Sequence, residues 1–128
     1  MKIHFINPCD RFLEKRGDRA PLGILQLSAW CKEMLSCETK IWDMNHDNFF
    51  DVAENILYEQ PNFICISVST PNYKQCITLA RLFNNISPGS SLIAGGVHVT
   101  DFPDESQTLA NFDFVIQGDG EVAMKEII

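Results

Sequence analysis

Apolar residues along this chain fall into two kinds of pattern, short continuous runs and longer stretches at helical spacing. The first run, Ile3, Phe5 and Ile6 ahead of Pro8, predicts a strand covered on both faces. Residues 8–20 read as a polar loop. From Pro21, a residue suited to the first turn of a helix, Leu22, Ile24, Leu25, Leu27, Ala29, Trp30, Met34 and Leu35 recur at helical spacing. Residues 39–43 predict a second strand, and residues 48–58 a second helix with Phe49, Phe50, Val52, Ala53, Ile56 and Leu57 as its apolar positions. After Gln60-Pro61-Asn62, residues 63–68 make the most strand-like run, and their lack of alternation predicts a central parallel strand. A third helix starts in Ser69-Thr70-Pro71-Asn72 and runs to residue 84, with Cys76, Leu79, Ala80, Leu82 and Phe83 on its apolar side. Residues 91–94 form a fourth strand running into Gly95-Gly96. Residues 112–116 form a fifth, ending at Gly118-Asp119-Gly120, and a last helix begins near Glu121.

Strand and helix thus alternate five times. Parallel neighbours need connections long enough to hold a helix, so the alternation predicts an α/β fold: a three-layer, flavodoxin-like (Rossmann-like) five-stranded parallel sheet with right-handed crossovers and helices on both faces. Ligands of such sheets sit outside the carboxyl ends of the strands. The loops at 7–21, 67–73, 95–102 and 117–121 are therefore where chemistry is expected.

Composition narrows the function. A chain of 128 residues is long enough for one domain, 1–128, with its own core. Its 45% hydrophobic and 21% charged residues exclude a disordered tail, a collagen-like repeat and a disulfide miniprotein. The net charge of −7 argues against a sequence-independent grip on nucleic acid or an anionic membrane, leaving a small molecule or another protein as partner. Five cysteines (Cys9, Cys31, Cys37, Cys65, Cys76) without CxxC or CxxxCxxC spacing predict free thiols and a cytoplasmic setting, with no zinc or iron–sulfur site. No signal peptide and no run of the ~18 apolar residues needed for a membrane span is visible. The last residues, 121–128, keep a helical pattern without a closing glycine, which predicts a chain that continues beyond them.

Three loops carry groups that suit a ligand. Ser67, Ser69, Thr70, Pro71, Asn72 and Tyr73 place hydroxyls and an amide at a helix start, where free N–H groups hold phosphate or amide oxygens; a capped helix start explains the same residues. Ser67 interrupts a Val/Ile run and leaves room beside the sheet. Gly95 and Gly96 let a backbone approach a ligand closely, and His98 beyond Val97 is a donor, a metal ligand or a base, with a hydrogen-bonded loop histidine favoured over a metal site for want of a second ligand nearby. Gly118, Gly120 and Glu121 close the last strand; their spacing and position do not match a dinucleotide GxGxxG fingerprint. Residues 10–19 hold four of the ten basic residues beside three acids, leaving six basic and fourteen acidic elsewhere, so the first loop is the one locally basic stretch. No nucleophilic, carboxylate-pair or zinc-hydrolase constellation occurs, so the domain on its own reads as a binder.

Four segments together, Pro21-Leu22-Gly23-Ile24-Leu25-Gln26-Leu27, Ile66-Ser67-Val68-Ser69-Thr70-Pro71-Asn72-Tyr73, Ala94-Gly95-Gly96-Val97-His98-Val99-Thr100 and Ile116-Gln117-Gly118-Asp119-Gly120-Glu121, resemble the N-terminal cobalamin-binding domain of cobalamin-dependent radical S-adenosylmethionine enzymes. The anaerobic Mg-protoporphyrin monomethyl ester cyclase and related methylases typify that group. The resemblance implies a corrinoid across the carboxyl edge of the sheet, its nucleotide tail beside the third and fourth strands, held by residues that include Asn7, Pro8 and Leu22 besides the loop residues above. It also implies a downstream domain binding S-adenosylmethionine and an iron–sulfur cluster, for which this stretch has no CxxxCxxC.

One departure is informative. Methionine synthase and mutase domains carry DxHxxG after the first strand, its histidine a lower cobalt ligand, and here that place reads Asn7-Pro8-Cys9-Asp10-Arg11-Phe12. The resemblance then implies a cobalt with no protein ligand below or one from another loop. The expected function is a module that holds and presents cobalamin to a methyltransferase or cyclase domain, without turnover of its own. A cofactor-less docking domain is the alternative, as is another flavodoxin-like module. A phosphoacceptor receiver is disfavoured by Asn7 and Ser67 where acidic residues belong, and a flavin carrier by a loop at 8–17 free of Ser and Thr.

Overall fold

The computed structural model describes residues 1–9, 21–69, 71–96 and 112–128. Strands β1 (Lys2–Asn7), β2 (Glu38–Asp43), β3 (Phe63–Ser67), β4 (Ser91–Gly95) and β5 (Phe114–Val115) alternate with helices α1 (Leu22–Leu35), α2 (Phe49–Glu59), α3 (Tyr73–Ile86) and α4 (Gly120–Ile127). All strand pairs are parallel and their order is β2-β1-β3-β4-β5, the flavodoxin-like arrangement. β3 is central, as its unbroken apolar run predicts, and all its neighbours are in register from Ile3↔Phe63 to Ser67↔Gly95.

Two apolar layers sandwich the sheet. On one face Ile6, Ile64, Ile66, Val68 and Leu92 meet Val52 and Ile56 of α2 and Leu79, Ala80 and Phe83 of α3. On the other, Ile3, Phe5, Cys65 and Ile93 meet Cys31 of α1 and Met124 of α4. Alternate residues of each strand serve opposite layers, which is why the central runs are apolar throughout.

Element ends differ from the sequence expectation where a side chain intervenes. The Asn72 amide oxygen accepts from the Ser69 N–H at 2.8 Å and from the Cys76 thiol at 3.3 Å, closing a turn, so α3 begins at Tyr73 instead of within 69–72. β5 spans two residues, not five, because the Asp113 carboxylate takes the Leu92 N–H at 2.7 Å where a strand would offer a carbonyl. In α1 the packed stripe is Ile24, Leu27, Ser28, Cys31 and Leu35, while Leu22, Leu25 and Met34 face outward. Ser28 earns its buried place through a 2.7 Å hydrogen bond to the Thr39 hydroxyl of β2.

A polar chain lies under α2. His4, 1% exposed, receives the Trp42 indole N–H on Nδ1 at 3.2 Å and sits with Nε2 2.6 Å from Glu59 Oε2. An indole N–H only donates, so Nδ1 holds the lone pair and the proton is on Nε2, donated to Glu59. Lys40 Nζ completes the chain at 3.2 Å from Glu59 Oε1 and 3.1 Å from Asn55 Oδ1.

Among the described residues no helix is long and apolar enough to cross a membrane.

Candidate functional site

The carboxyl ends of β1, β3 and β4 open into a cleft of about 260 Å³ between the first turns of α1 and of α4. Its floor is apolar: Phe5, Cys65, Ile93 and Met124 are all buried. Gly23, Ile24, Gln26 and Leu27 of α1 make one wall, and Ile116 with the segment 118–121 makes the other. Ser67, Gly95 and Gly96 form the strand-end rim.

Backbone geometry keeps that rim bare. At Gly96 φ is +108°, and a Cβ there would stand 2.6 Å from the Val68 carbonyl oxygen, so only glycine fits where the ends of β3 and β4 meet. The Val68 N–H donates to Gly95 O at 2.7 Å and continues the ladder past the strands themselves. Gly95 is a different case, since a Cβ added to it would meet nothing within 4 Å. Open space stands there that a ligand can use. On the far wall Gly120 lies against Leu27, where a Cβ would stand only 2.8 Å from Leu27 Cδ2, so α1 and α4 approach closely there.

Six of the residues singled out by sequence, Ser67, Gly95, Gly96, Gly118, Gly120 and Glu121, come together around this cleft. Ser69, Pro71 and Asn72 lie between β3 and α3, which Tyr73 opens, and among the described residues the buried Ser69 hydroxyl oxygen has no hydrogen-bond partner. Ser69 itself is not among the residues that line the cleft, and a buried hydroxyl without a partner is a group that can still take an acceptor or donor. Asn7 and Pro8 stand at the end of β1, with the Asn7 amide donating to Asp43 Oδ1 at 3.1 Å and so tying β1 to β2. Leu22 is 72% exposed and does not line the cleft, whereas its neighbours Gly23 and Ile24 do. Thr70, Val97 and His98 lie outside the described residues.

Sequence reasoning passed over Gln26, Asp119 and the four floor residues as site components. Gln26 and Gly23 carry a helix-period signal that a search for polar or small residues one turn into α1 would have found. The floor residues carry none, because a core strand and a cleft floor have the same composition.

The site is built for binding. Burial pushes the Cys65 thiol up, and Cys31 and Cys76 to about 11 and about 12, so these thiols stay protonated and inert as nucleophiles. Among the described residues no group of three or more His, Cys, Asp or Glu side chains gathers to hold a metal. What the cleft offers is apolar area, glycine backbone and a few hydroxyl, amide and carboxylate groups at its mouth.

Comparison with known proteins fits that picture. The B12 binding domain family matches residues 12–128. An uncharacterized methyltransferase of Pyrococcus horikoshii is 29% identical over 111 residues, covering 84% of this chain and 24% of its own. The 2-(S-pantetheinyl)-carbapenam-3-carboxylate methyltransferase of Streptantibioticus cattleyicolor is 30% identical over 69 residues, 53% of this chain and 10% of its own. This sequence therefore spans a quarter or less of the curated relatives it matches. Among solved structures, the cobalamin-dependent S-adenosylmethionine radical enzyme OxsB with aqua-cobalamin bound superposes with a TM-score of 0.83 at 20% identity, over 98% of this chain and 18% of that one. At that identity the likeness speaks to the fold.

Proposed function

The chain belongs to the B12 binding domain family, and from that premise we propose that it holds cobalamin across the carboxyl edge of its sheet and presents it to a catalytic domain elsewhere in a longer polypeptide. The partner domain in this reading is of the radical S-adenosylmethionine type and works as a methyltransferase or cyclase. What carries the proposal is the cleft between α1 and α4, with its bare glycine rim and apolar floor. Its volume of about 260 Å³ falls below the roughly 300–1,000 Å³ of sites that enclose a drug-sized ligand, which suits a nucleotide tail entering while the corrin ring lies outside.

The chain's own residues then have distinct tasks. Gly95 and Gly96 leave the strand ends open for the tail, and Ser67 and Ser69 offer it hydroxyls. Pro71, Asn72 and Tyr73 follow that edge, Asn7, Pro8 and Leu22 border it from β1 and α1, and Thr70, Val97 and His98, its neighbours in sequence only, complete the proposed set. Gly118, Gly120 and Glu121 form the opposite wall. Bound there, cobalamin supplies a redox-active cobalt able to carry a one-carbon group.

Residues 8–20, which follow β1, contain no histidine. His4 is committed to Trp42 and Glu59 beneath α2 and is unavailable as a ligand. If cobalamin is held here, this loop would offer its cobalt no histidine, and a cobalt without such a ligand would be less electron-rich and easier to reduce. Imidazole coordination in the spectrum of the bound form would contradict this.

Incubation with hydroxocobalamin, desalting and a visible spectrum tests the central claim, with near-stoichiometric corrinoid retained as the expected result. Gly95→Val is the matching variant: its side chain enters open space and suits a strand, so the protein folds with a melting temperature close to the parent's while corrinoid retention is lost. Complete loss of corrinoid from the parent protein itself would favour a cofactor-less docking domain.

A further inference from the structure

The cleft is divided, apolar inside and polar at its mouth, and the division bears on which corrinoid it takes. Phe5, Cys65, Ile93 and Met124 at the floor are 1%, 8%, 1% and 0% exposed. Their backbones are engaged in secondary structure: Phe5, Cys65 and Ile93 sit inside the parallel ladders of β1, β3 and β4, and Met124 lies within α4. The one heteroatom hydrogen on that floor is the Cys65 thiol, a weak donor that burial keeps neutral. Groups with real hydrogen-bonding capacity, the Ser67 hydroxyl, Gln26, Asp119 and Glu121, stand at strand ends and helix starts.

We infer that the cleft selects corrinoids whose lower base presents an alkyl edge, as dimethylbenzimidazole does, against corrinoids whose base carries an amino or hydroxyl group there, such as adenine or hydroxybenzimidazole. The inference rests on the reading that the nucleotide tail occupies this cleft. A methyl group pressed on the floor gains by leaving water. An amino or hydroxyl group in the same place gives up its water and finds no partner. For the hydroxybenzimidazole the floor's lack of partners is what discriminates, since a methyl and a hydroxyl on the same ring differ little in size; adenine differs in ring shape as well.

Titration of the protein with four corrinoids of the same ring and upper ligand tests this: cobalamin, the hydroxybenzimidazole and adenine analogues, and cobinamide, which has no base. Affinities come from visible absorbance and equilibrium dialysis. Cobalamin is expected to bind about tenfold or more tightly than either polar-base analogue, and cobinamide more weakly than cobalamin. Cys65→Ser, a near-isosteric change that puts a hydroxyl on the floor, should narrow the gap for the hydroxybenzimidazole analogue severalfold. Equal affinity for cobalamin and the polar-base analogues overturns the inference and leaves the cobalamin function standing, as does cobinamide binding as tightly as cobalamin. Failure to bind any of the four overturns both.

Discussion

At His4 a titratable ring stands where the apolar run of β1 would take an aliphatic side chain. Burial holds its pKa below the ordinary value, outweighing the opposite pull of the Glu59 hydrogen bond and charge. As pH falls below 6.5 the unfolded chain therefore takes up the proton before the folded one, and stability present above that pH is lost down to the folded-state pKa. Glu59 behaves alike at lower pH: its bond to His4 holds its pKa down, so its contribution persists above 4.5 and is lost as pH falls through the folded-state value. Unfolding free energies from denaturant titrations between about pH 8 and about pH 5 should fall in the parent protein, by about 1.4 kcal/mol per unit of His4 depression, and the decline should flatten in His4→Phe. An unchanged slope in that variant would assign the acid sensitivity elsewhere. None of this is visible in sequence, since Trp42 and Glu59 lie 38 and 55 residues from His4. Ser67 and Gly96 are the reverse case: a hydroxyl breaking a Val/Ile run and a glycine pair after a strand announce space at a sheet edge from local pattern alone.

Helix ends show how far an element can be judged from its neighbours. Both α1 and α2 stop at a non-glycine residue in the left-handed region, Ser36 at φ 53° and Gln60 at φ 48°. Left-handed backbone costs an L-residue about 1 kcal/mol, and glycine relieves it. Ser36 is exposed and makes no compensating side-chain bond among the described residues, so Ser36→Gly should raise stability by about 0.5–1 kcal/mol. Gln60→Gly should lower it, because the Gln60 amide donates to Leu57 O at 2.8 Å and Ile86 O at 2.9 Å and its oxygen accepts from the Ser87 hydroxyl at 3.3 Å, joining the ends of α2 and α3. Chemical denaturation of the two variants reads the opposite signs directly. The existence and order of every described element were legible from hydrophobic period, but not which face of α1 packs. Leu22, Leu25 and Met34 outweigh Ser28 and Cys31 in hydrophobicity, yet only the latter pair meets the sheet, one of them through a hydroxyl partner on β2.

Over the whole molecule the sheet divides the interior into two layers, and the cysteines map both. Cys31, Cys37 and Cys65 belong to the α1–α4 layer and Cys76 to the α2–α3 layer, all four buried, while Cys9 is partly exposed. A thiol reagent should modify one cysteine quickly in the native protein and all five after denaturation; a second fast equivalent would mean that one layer opens well below global unfolding. Sheet order was legible because alternating strands and helices leave few parallel topologies open, and the cleft's place followed from that order. The cleft's floor was not, since its residues are indistinguishable in type from the core they continue. The same division places the two tryptophans apart: Trp30 packs on the α1–α4 layer and Trp42 on the α2–α3 layer, hydrogen-bonded to His4. The chain thus carries one tryptophan in each half, and single-tryptophan variants would report, without any label, whether the layer that forms the cleft and the layer that holds the acid-sensitive histidine come apart together or in turn.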